Sequence, residues 1–382
     1  MFVKTLAACG LLTLTLVANA QQVLIPAAPQ LASSAYILLD ADTGKVIVEE
    51  NADEQLPPAS LTKMMTSYIV TSELEDNRLN ENDMVNISVA AWKMGGSKMF
   101  VREGTEVSVI DLLRGIIVQS GNDASVALAE HIAGGEGAFA DVMNQTASLL
   151  GMTGSHFVNA TGWPAEGHLT TARDLSLLAR AIINDHPEYY DLYKEKYFSY
   201  NGINQPNRNR LLFRDNSVDG LKTGHTEAAG YCLVASAKRG DMRLVSVVMG
   251  TNTEEARAVE TQKLLAYGFR YFENQTLYRA GETLESTRIW YGETDRLTLT
   301  VAADVVETIP RGSRDDIKVE LQIPDIIKAP IEKGQQVGTL TLTLNGETIA
   351  EVPAVAQAAV PKAGFFARIM DAIKLFVTGL LS

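Results

Sequence analysis

Ser60 and Lys63 lie three residues apart at the head of an apolar run, PPASLTKMMTSYIV. Residues at that spacing share one face of a helix, so the amine can sit beside the hydroxyl. Two readings are open for the pair. A serine at a helix start can simply bond an orphan backbone N–H. Alternatively, a lysine stripped of water, or crowded by another cation, sheds its proton, and its neutral amine can then activate the serine as a nucleophile. Backbone N–H groups at the same helix start are suited to holding an oxyanion.

Other routes to an activated serine or a polarised bond are missing. The sequence has no Gly-x-Ser-x-Gly elbow, no His-Glu-x-x-His and no phosphate-cradling glycine loop. Two further polar clusters follow in order: Ser120-Gly121-Asn122, sixty residues after Ser60, and Lys222-Thr223-Gly224, a hundred and two residues after Ser120. Taken singly, each is ordinary turn or strand-end chemistry. His156 and His168, in the Gly- and Thr-rich stretch 151–171, are read as structural. Cys232, between Tyr231 and Leu233 in an apolar stretch, is expected to be buried and inert.

The elements that must position these groups show in the patterning. AYILLDADTGKVIV, from Ala35 to Val48, reads as two apolar strands joined by a Thr-Gly turn. Helical periodicity dominates from there to about Asn184, strongest in IDLLRGIIVQSGNDASVALAEHIA, which Ser120-Gly121-Asn122 interrupts. GLKTGHTEAAGYCLVASAK and MRLVSVVMG read as adjacent strands reversed at Arg239-Gly240-Asp241, and EEARAVETQKLLAYGFRYFE restores a helix. Strands at both ends of a helical middle predict an α+β unit around an antiparallel sheet. Near Gly281 the texture changes to short alternating segments, DRLTLTVAADVVETI, DIKVELQI and GTLTLTLNGETIAEV, which predict a small all-β domain.

The chain has 382 residues and a formal net charge of -13, an acidic balance that argues against nucleic-acid binding. Residues 1–20 combine Lys4, an apolar run and Ala18-Asn19-Ala20, the pattern of a secretory signal peptide. Its removal takes Cys9 with it and leaves Cys232, so neither an internal disulfide nor a cysteine metal cluster is possible. At the other end, PKAGFFARIMDAIKLFVTGLLS places Phe365, Phe366, Ile369, Met370, Ile373, Phe376, Val377 and Leu380 at helical spacing, with Lys362, Arg368, Asp371 and Lys374 off that stripe. This is the pattern of a helix lying in a membrane interface. The expected division is a signal peptide (1–20), a catalytic unit (21–280), an all-β domain (281–355) and a linker with an amphipathic helix (356–382).

Ser-x-x-Lys, a middle motif beginning Ser and ending Asn, and Lys-Thr-Gly occur together in β-lactamases and penicillin-binding proteins. With their flanks PASLTKMMT, GSKMFV, IVQSGNDASVALAE, VDGLKTGHTEAAGYCLVASA and KLLAYGFRYFE, they make the chain resemble the type-5 D-alanyl-D-alanine carboxypeptidases, low-molecular-mass penicillin-binding proteins. The resemblance runs from about Ser34 to the C-terminus and includes Gly121 in place of the Asp usual in β-lactamases. It implies a penicillin-binding, β-lactamase-like transpeptidase domain of antiparallel sheet and helices, a small all-β domain and an amphipathic anchor helix. It implies Ser60 as the acylated nucleophile, Lys63 as its base, Ser120 in a proton relay and Asn122 on the substrate backbone. Lys222, Thr223 and Gly224 would run beside the bound peptide, the N–H of His225 would complete an oxyanion hole with that of Ser60, and Arg257 would act indirectly on the terminal carboxylate. No cofactor or metal is implied. The implied partners are D-Ala-D-Ala-ended peptidoglycan stems, β-lactam inhibitors and the membrane surface; the implied place is the periplasm, on the outer face of the inner membrane. A β-lactamase and a non-catalytic penicillin-recognising scaffold share enough of these features to stand as alternatives.

Overall fold

The computed structural model describes residues 25–381; the expected signal peptide, and the side chain of Leu380 in the terminal stripe, lie outside what is described. A five-stranded antiparallel sheet forms the centre of the first unit, in the order Val46–Glu50, Ala35–Asp40, Met242–Thr251, Gly230–Arg239, Val218–Thr226. Ala35–Asp40 is buried on both faces, which is why its residues Ala35 to Leu39 are written as an apolar run with no polar alternation, Asp40 following only at the end. Ile37 and Leu39 face a helical layer built from Lys63–Glu75, Val109–Gln119, Asn122–Ala133, Glu136–Leu149 and Ala172–Asp185; Tyr36 and Leu38 face Leu264, Leu265 and Phe269 of the long helix Glu254–Tyr271. The sheet is therefore sandwiched between two apolar layers, and the strand order places the segment carrying Lys222-Thr223-Gly224 at its edge.

The second unit is β-rich. A six-stranded sheet runs in the order Lys318–Gln322, Gln336–Leu344, Glu347–Ala356, Arg296–Val301, Thr283–Trp290, Ile327–Lys328. GTLTLTLNGETIAEV is a hairpin that turns at Asn345-Gly346, both at positive φ (53° and 88°), the geometry an Asn-Gly turn supplies at least cost. Phe272–Tyr278, which continues directly from the long helix and lies upstream of the texture change at Gly281, pairs with Val305–Pro310. Side-chain bonds cross between the units: Asn274 Nδ2 donates to Asp40 Oδ2 at 2.9 Å, the hydroxyls of Thr43 and Thr308 meet at 2.6 Å, and Arg311 Nε donates to the Phe269 carbonyl at 3.2 Å.

The chain ends in the helix Phe365–Leu381. Its carboxylate Asp371 accepts from the backbone N–H of Tyr291 at 2.8 Å and pairs with Arg288 at 3.4 Å, fixing the helix to the β-rich unit. Phe365, Phe366, Ile369, Met370, Ile373, Phe376 and Val377 are exposed. At 17 residues and about 1.5 Å per residue, the helix falls short of a bilayer core about 30 Å thick, and no helix among the described residues is long and apolar enough to cross a membrane.

Candidate active site

Ser60 sits in a single tight turn, Ala59–Thr62, that leads into the helix Lys63–Glu75. The cap positions of the turn and of the helix are Pro58 and Thr62, which removes the capping reading for Ser60: its Oγ instead accepts from Lys63 Nζ at 2.9 Å. Lys63 is fully buried and also donates to the carbonyl of Thr161. Burial pushes its pKa down from 10.5 to about 7, with the carboxylate of Asp123 pulling the other way. An amine that is substantially neutral near pH 7 and touches the serine hydroxyl is competent to take its proton.

The loop behind the nucleophile is packed against it without slack. Gly162 has φ +82°, and a Cβ there would meet the carbonyl oxygen of Ala59 at 1.8 Å, so glycine is required both for conformation and for space. Asn159 Oδ1 holds this loop by accepting from the N–H groups of Thr161, Gly162 and Trp163 at 2.8–3.1 Å. Ala59 itself is held at φ 47°, unusual for a residue with a side chain.

Ser120 ends the helix Val109–Gln119 in the left-handed conformation (φ 61°), and Asn122 opens the next helix. Their proximity to Ser60 follows from this sharp corner. Lys222 Nζ donates to Ser120 Oγ at 2.9 Å and to its neighbour's carbonyl at 3.1 Å. Burial, then the positive charges of Lys63, Arg208 and Arg257, drive the Lys222 pKa well below its usual value. Asn122 Nδ2 donates to the carbonyl of Gly95 at 2.7 Å, and its N–H to that of Ser97 at 2.8 Å, tying the helix start to the opposite lip. Gly121 is confined: a Cβ would lie 2.9 Å from Asp123 Oδ1, 3.2 Å from the Gly115 carbonyl and 3.3 Å from the Met99 nitrogen. The aspartate usual in β-lactamases would not fit this corner unaltered.

Gly224 lets the edge strand approach the nucleophile turn, since a Cβ would touch the Pro58 carbonyl and Leu61 at 3.1–3.3 Å. His225 stacks on Tyr231 at 3.9 Å between ring centroids. Arg257 is almost fully buried, donates to the Gly224 carbonyl at 3.4 Å and pairs with Glu254 at 3.1 Å. A polar pocket of about 200 Å³ joins these groups, with Ser60, Ser120, Thr223, His225 and Arg257 in its wall. A second cavity of about 630 Å³ opens from Ser60 past Asn122 and Trp163 to His225. All nine expected site residues thus lie at one cleft or directly support it. The first pocket concentrates positive charge and suits a carboxylate; the second suits an extended chain leading to it.

His168 is not part of the chemistry. Burial holds its pKa down at about 4, its Nδ1 accepts from the Val158 N–H at 3.3 Å, and Nε2 therefore donates to Thr62 Oγ1 at 2.9 Å. His156 bonds the Gly167 carbonyl on the outer side of the same loop. Cys232 is buried, with its pKa pushed up to about 11 by burial.

Several site groups carry no signal in the sequence reading. Arg208 and Ser97 line the carboxylate-sized pocket, Trp163 lines the longer cavity, and Asp123 accepts from the N–H groups of Met99, Phe100 and Val101 at 2.8–3.2 Å. Arg208 stands between Asn207 and Asn209, both buried and bonded to backbone, Asn209 to the Gly220 carbonyl at 2.9 Å. The polar cluster Asn-Arg-Asn-Arg immediately before Leu-Leu-Phe was the available hint: such a run in a chain of apolar elements needs partners.

The fold and this cleft define a serine-dependent penicillin-recognising peptidase. A family profile described as D-alanyl-D-alanine carboxypeptidase matches residues 22–253, and a profile of the penicillin-binding protein 5 C-terminal domain matches residues 272–362. The chain belongs to the D-alanyl-D-alanine carboxypeptidase family. It is 45% identical over 361 residues to D-alanyl-D-alanine carboxypeptidase DacA of Escherichia coli (strain K12), covering 92% of this chain and 89% of that one. It is 45% identical over 356 residues to DacC of the same organism, covering 91% and 89%. The crystal structure of penicillin binding protein 5 from Haemophilus influenzae superposes with a TM-score of 0.83 at 41% identity, covering 88% of this chain and all 100% of that one.

Proposed function

We propose that the protein is a serine D-alanyl-D-alanine carboxypeptidase that removes the terminal D-alanine from peptidoglycan pentapeptide stems and is inhibited by β-lactams. The observation that carries the mechanism is the neutral-capable Lys63 amine 2.9 Å from Ser60 Oγ. Lys63 takes the hydroxyl proton as Ser60 Oγ attacks the penultimate carbonyl carbon. The backbone N–H groups of Ser60 and His225 hold the resulting oxyanion. As the C–N bond breaks, the proton that Lys63 took passes to the leaving amine through Ser120 Oγ, which Lys222 contacts at 2.9 Å, and the Lys63 amine is neutral again. D-alanine departs and water, deprotonated by the same lysine, attacks the ester and regenerates Ser60. Asn122 and the edge strand at Thr223 align the stem peptide. Lys222, Arg208 and Arg257 supply positive potential and Thr223 a hydroxyl for its terminal carboxylate, whose charge-assisted bonds outweigh neutral ones.

The exposed apolar stripe on Phe365–Leu381 supports attachment to a membrane surface, and the secretory pattern of residues 1–20 supports a place in the periplasm, on the outer face of the inner membrane. Incubating the protein with a D-Ala-D-Ala-ended pentapeptide should release free D-alanine, and a labelled penicillin should form one covalent adduct, mapped to Ser60. Label retained by Ser60→Ala overturns the nucleophile assignment; absence of D-alanine release from an acylatable protein overturns the carboxypeptidase reading.

A further inference from the structure

A cleft of about 500 Å³ lies where the C-terminal helix meets the β-rich unit, far in the chain from the catalytic residues. Lys328, Lys362 and Arg368 project into it from three separate segments, beside Tyr291, Phe365 and Ile369. Its lining contains no carboxylate, although the chain has 46 Asp and Glu against 33 Lys and Arg. Three cations converging in an acidic protein raise the energy of the free state and leave a site complementary to an anion. Among the described residues, none of the three forms an ion pair, whereas Asp371, the nearby helix carboxylate, is occupied by Arg288 and the Tyr291 N–H.

The cleft is held open by its frame. Tyr291 sits at φ 62°, with its N–H bonded to Asp371 at 2.8 Å and its carbonyl accepting from the Ala363 N–H at 2.8 Å. Helix and sheet are therefore joined on both sides of this residue, so the cations need not be gathered on binding. Phe365 and Ile369 belong to the cleft and also to the exposed apolar stripe. An occupant must consequently present an anionic group beside a hydrocarbon surface.

We propose that this cleft binds the phosphate headgroup of an anionic bilayer phospholipid, adding headgroup recognition to the apolar contact of the helix. The inference rests on the reading of that helix as a membrane-surface element. Lys328, Lys362 and Arg368 hold the phosphodiester, Tyr291 lies against the headgroup, and Phe365 and Ile369 meet the upper acyl chain. The anchor then discriminates among lipids, which an apolar stripe alone does not do.

Co-sedimentation of the full chain with phosphatidylcholine vesicles, with and without phosphatidylglycerol, tests this. A cation near an anionic bilayer is worth roughly fivefold in partition, so three give on the order of a hundredfold preference for the anionic vesicles. Neutralising all three (Lys328→Gln, Lys362→Gln, Arg368→Gln) should remove most of the preference while leaving binding to pure phosphatidylcholine unchanged. Ala372→Trp, which fills the exposed cleft wall without altering charge, should reduce the preference as well; retention of the full preference in this variant would show a diffuse surface field and overturn the site. An unchanged preference in the triple variant would also overturn it. If glycerol 3-phosphate competes as strongly as vesicles, the cleft is a soluble-phosphate site and the lipid assignment fails. Failure of the native chain to bind either vesicle defeats the membrane reading itself, an outcome distinct from equal binding to both, which defeats the headgroup site alone.

Discussion

Replacing Lys63 with methionine should make the protein's stability less dependent on pH, and by an amount the structure sets. Burial lowers the Lys63 pKa from 10.5 to about 7. At about 1.4 kcal/mol per pH unit, the difference amounts to roughly 5 kcal/mol between the protonated and neutral limits. The sign follows from proton counting. Between about 7 and 10.5 the unfolded lysine keeps a proton that the folded one has shed, so stability rises with pH through that window; below about 7 the full cost of burying the ammonium is present. Methionine has nearly the same length and no charge, so the variant lacks this rise. Relief of Lys222, whose pKa the Lys63 charge depresses, acts in the same direction. The substitution also strips a donor from the Thr161 carbonyl and Ser60 Oγ, costing about 1–3 kcal/mol per orphaned group. That loss does not vary with pH, so the slope of the comparison is the informative quantity. Urea unfolding of both proteins, followed by tryptophan fluorescence in a Trp290→Phe background to isolate the catalytic unit, should show native stability gaining about 2 kcal/mol on the variant between pH 7 and pH 9. A difference that stays flat would mean that folded Lys63 is still protonated at pH 9, which would refute its role as the base.

Acylation of the native enzyme by a labelled penicillin should accelerate with pH and reach half its plateau near the Lys63 value of about 7, since protonated lysine cannot accept the serine proton; a rate constant equal at pH 6 and 8 would contradict this. Gly121→Ala should cost about 1–3 kcal/mol by overpacking, given the 2.9 Å approach of its Cβ to Asp123 Oδ1, and should slow acylation; an unshifted melting temperature would show that the corner yields freely. A pentapeptide ending in a free carboxylate should exceed its C-terminal amide in kcat/KM by roughly a hundredfold, if a few kcal/mol of charge-assisted binding is realised in the transition state. Arg257→Ala should shrink that ratio, and an unchanged ratio would remove the guanidinium from carboxylate recognition.

The parts of the fold that were legible in the sequence are those written in periodicity. The apolar run Ala35–Asp40, the interrupted helical pattern around Ser120 and the alternating segments after Gly281 each became the expected kind of element. Phe272–Tyr278 was harder, because Tyr271, Phe272 and Glu273 continue an amphipathic helical pattern while strand pairing to Val305–Pro310 is decided by residues thirty positions away. In the cleft, the three motifs named themselves by residue type and order. Arg208, Asp123 and Trp163 did not, for different reasons. Asp123 stands beside the motif and acts through backbone N–H groups that any sequence would offer. Trp163 lies in a loop between Gly162 and Pro164 with no periodicity to mark it, and is left about half exposed at 48%. The burial of Arg257 has no local signature in the sequence, because it depends on where the helix start meets the edge strand.

Asp123 joins two properties of the site, the shape of a lip and the strength of the base. Its carboxylate gathers the N–H groups of Met99, Phe100 and Val101, residues that have no strand of their own there, and so shapes one lip of the cleft. The same negative charge favours the protonated form of Lys63 and restrains the fall in its pKa. A substitution that deletes this charge to sharpen the base also releases the lip, while one that preserves the lip keeps the base tempered. A change in the strength of the base made at Asp123 therefore also alters the backbone at residues 99–101, so proton transfer and the shape of the groove are not adjusted separately there.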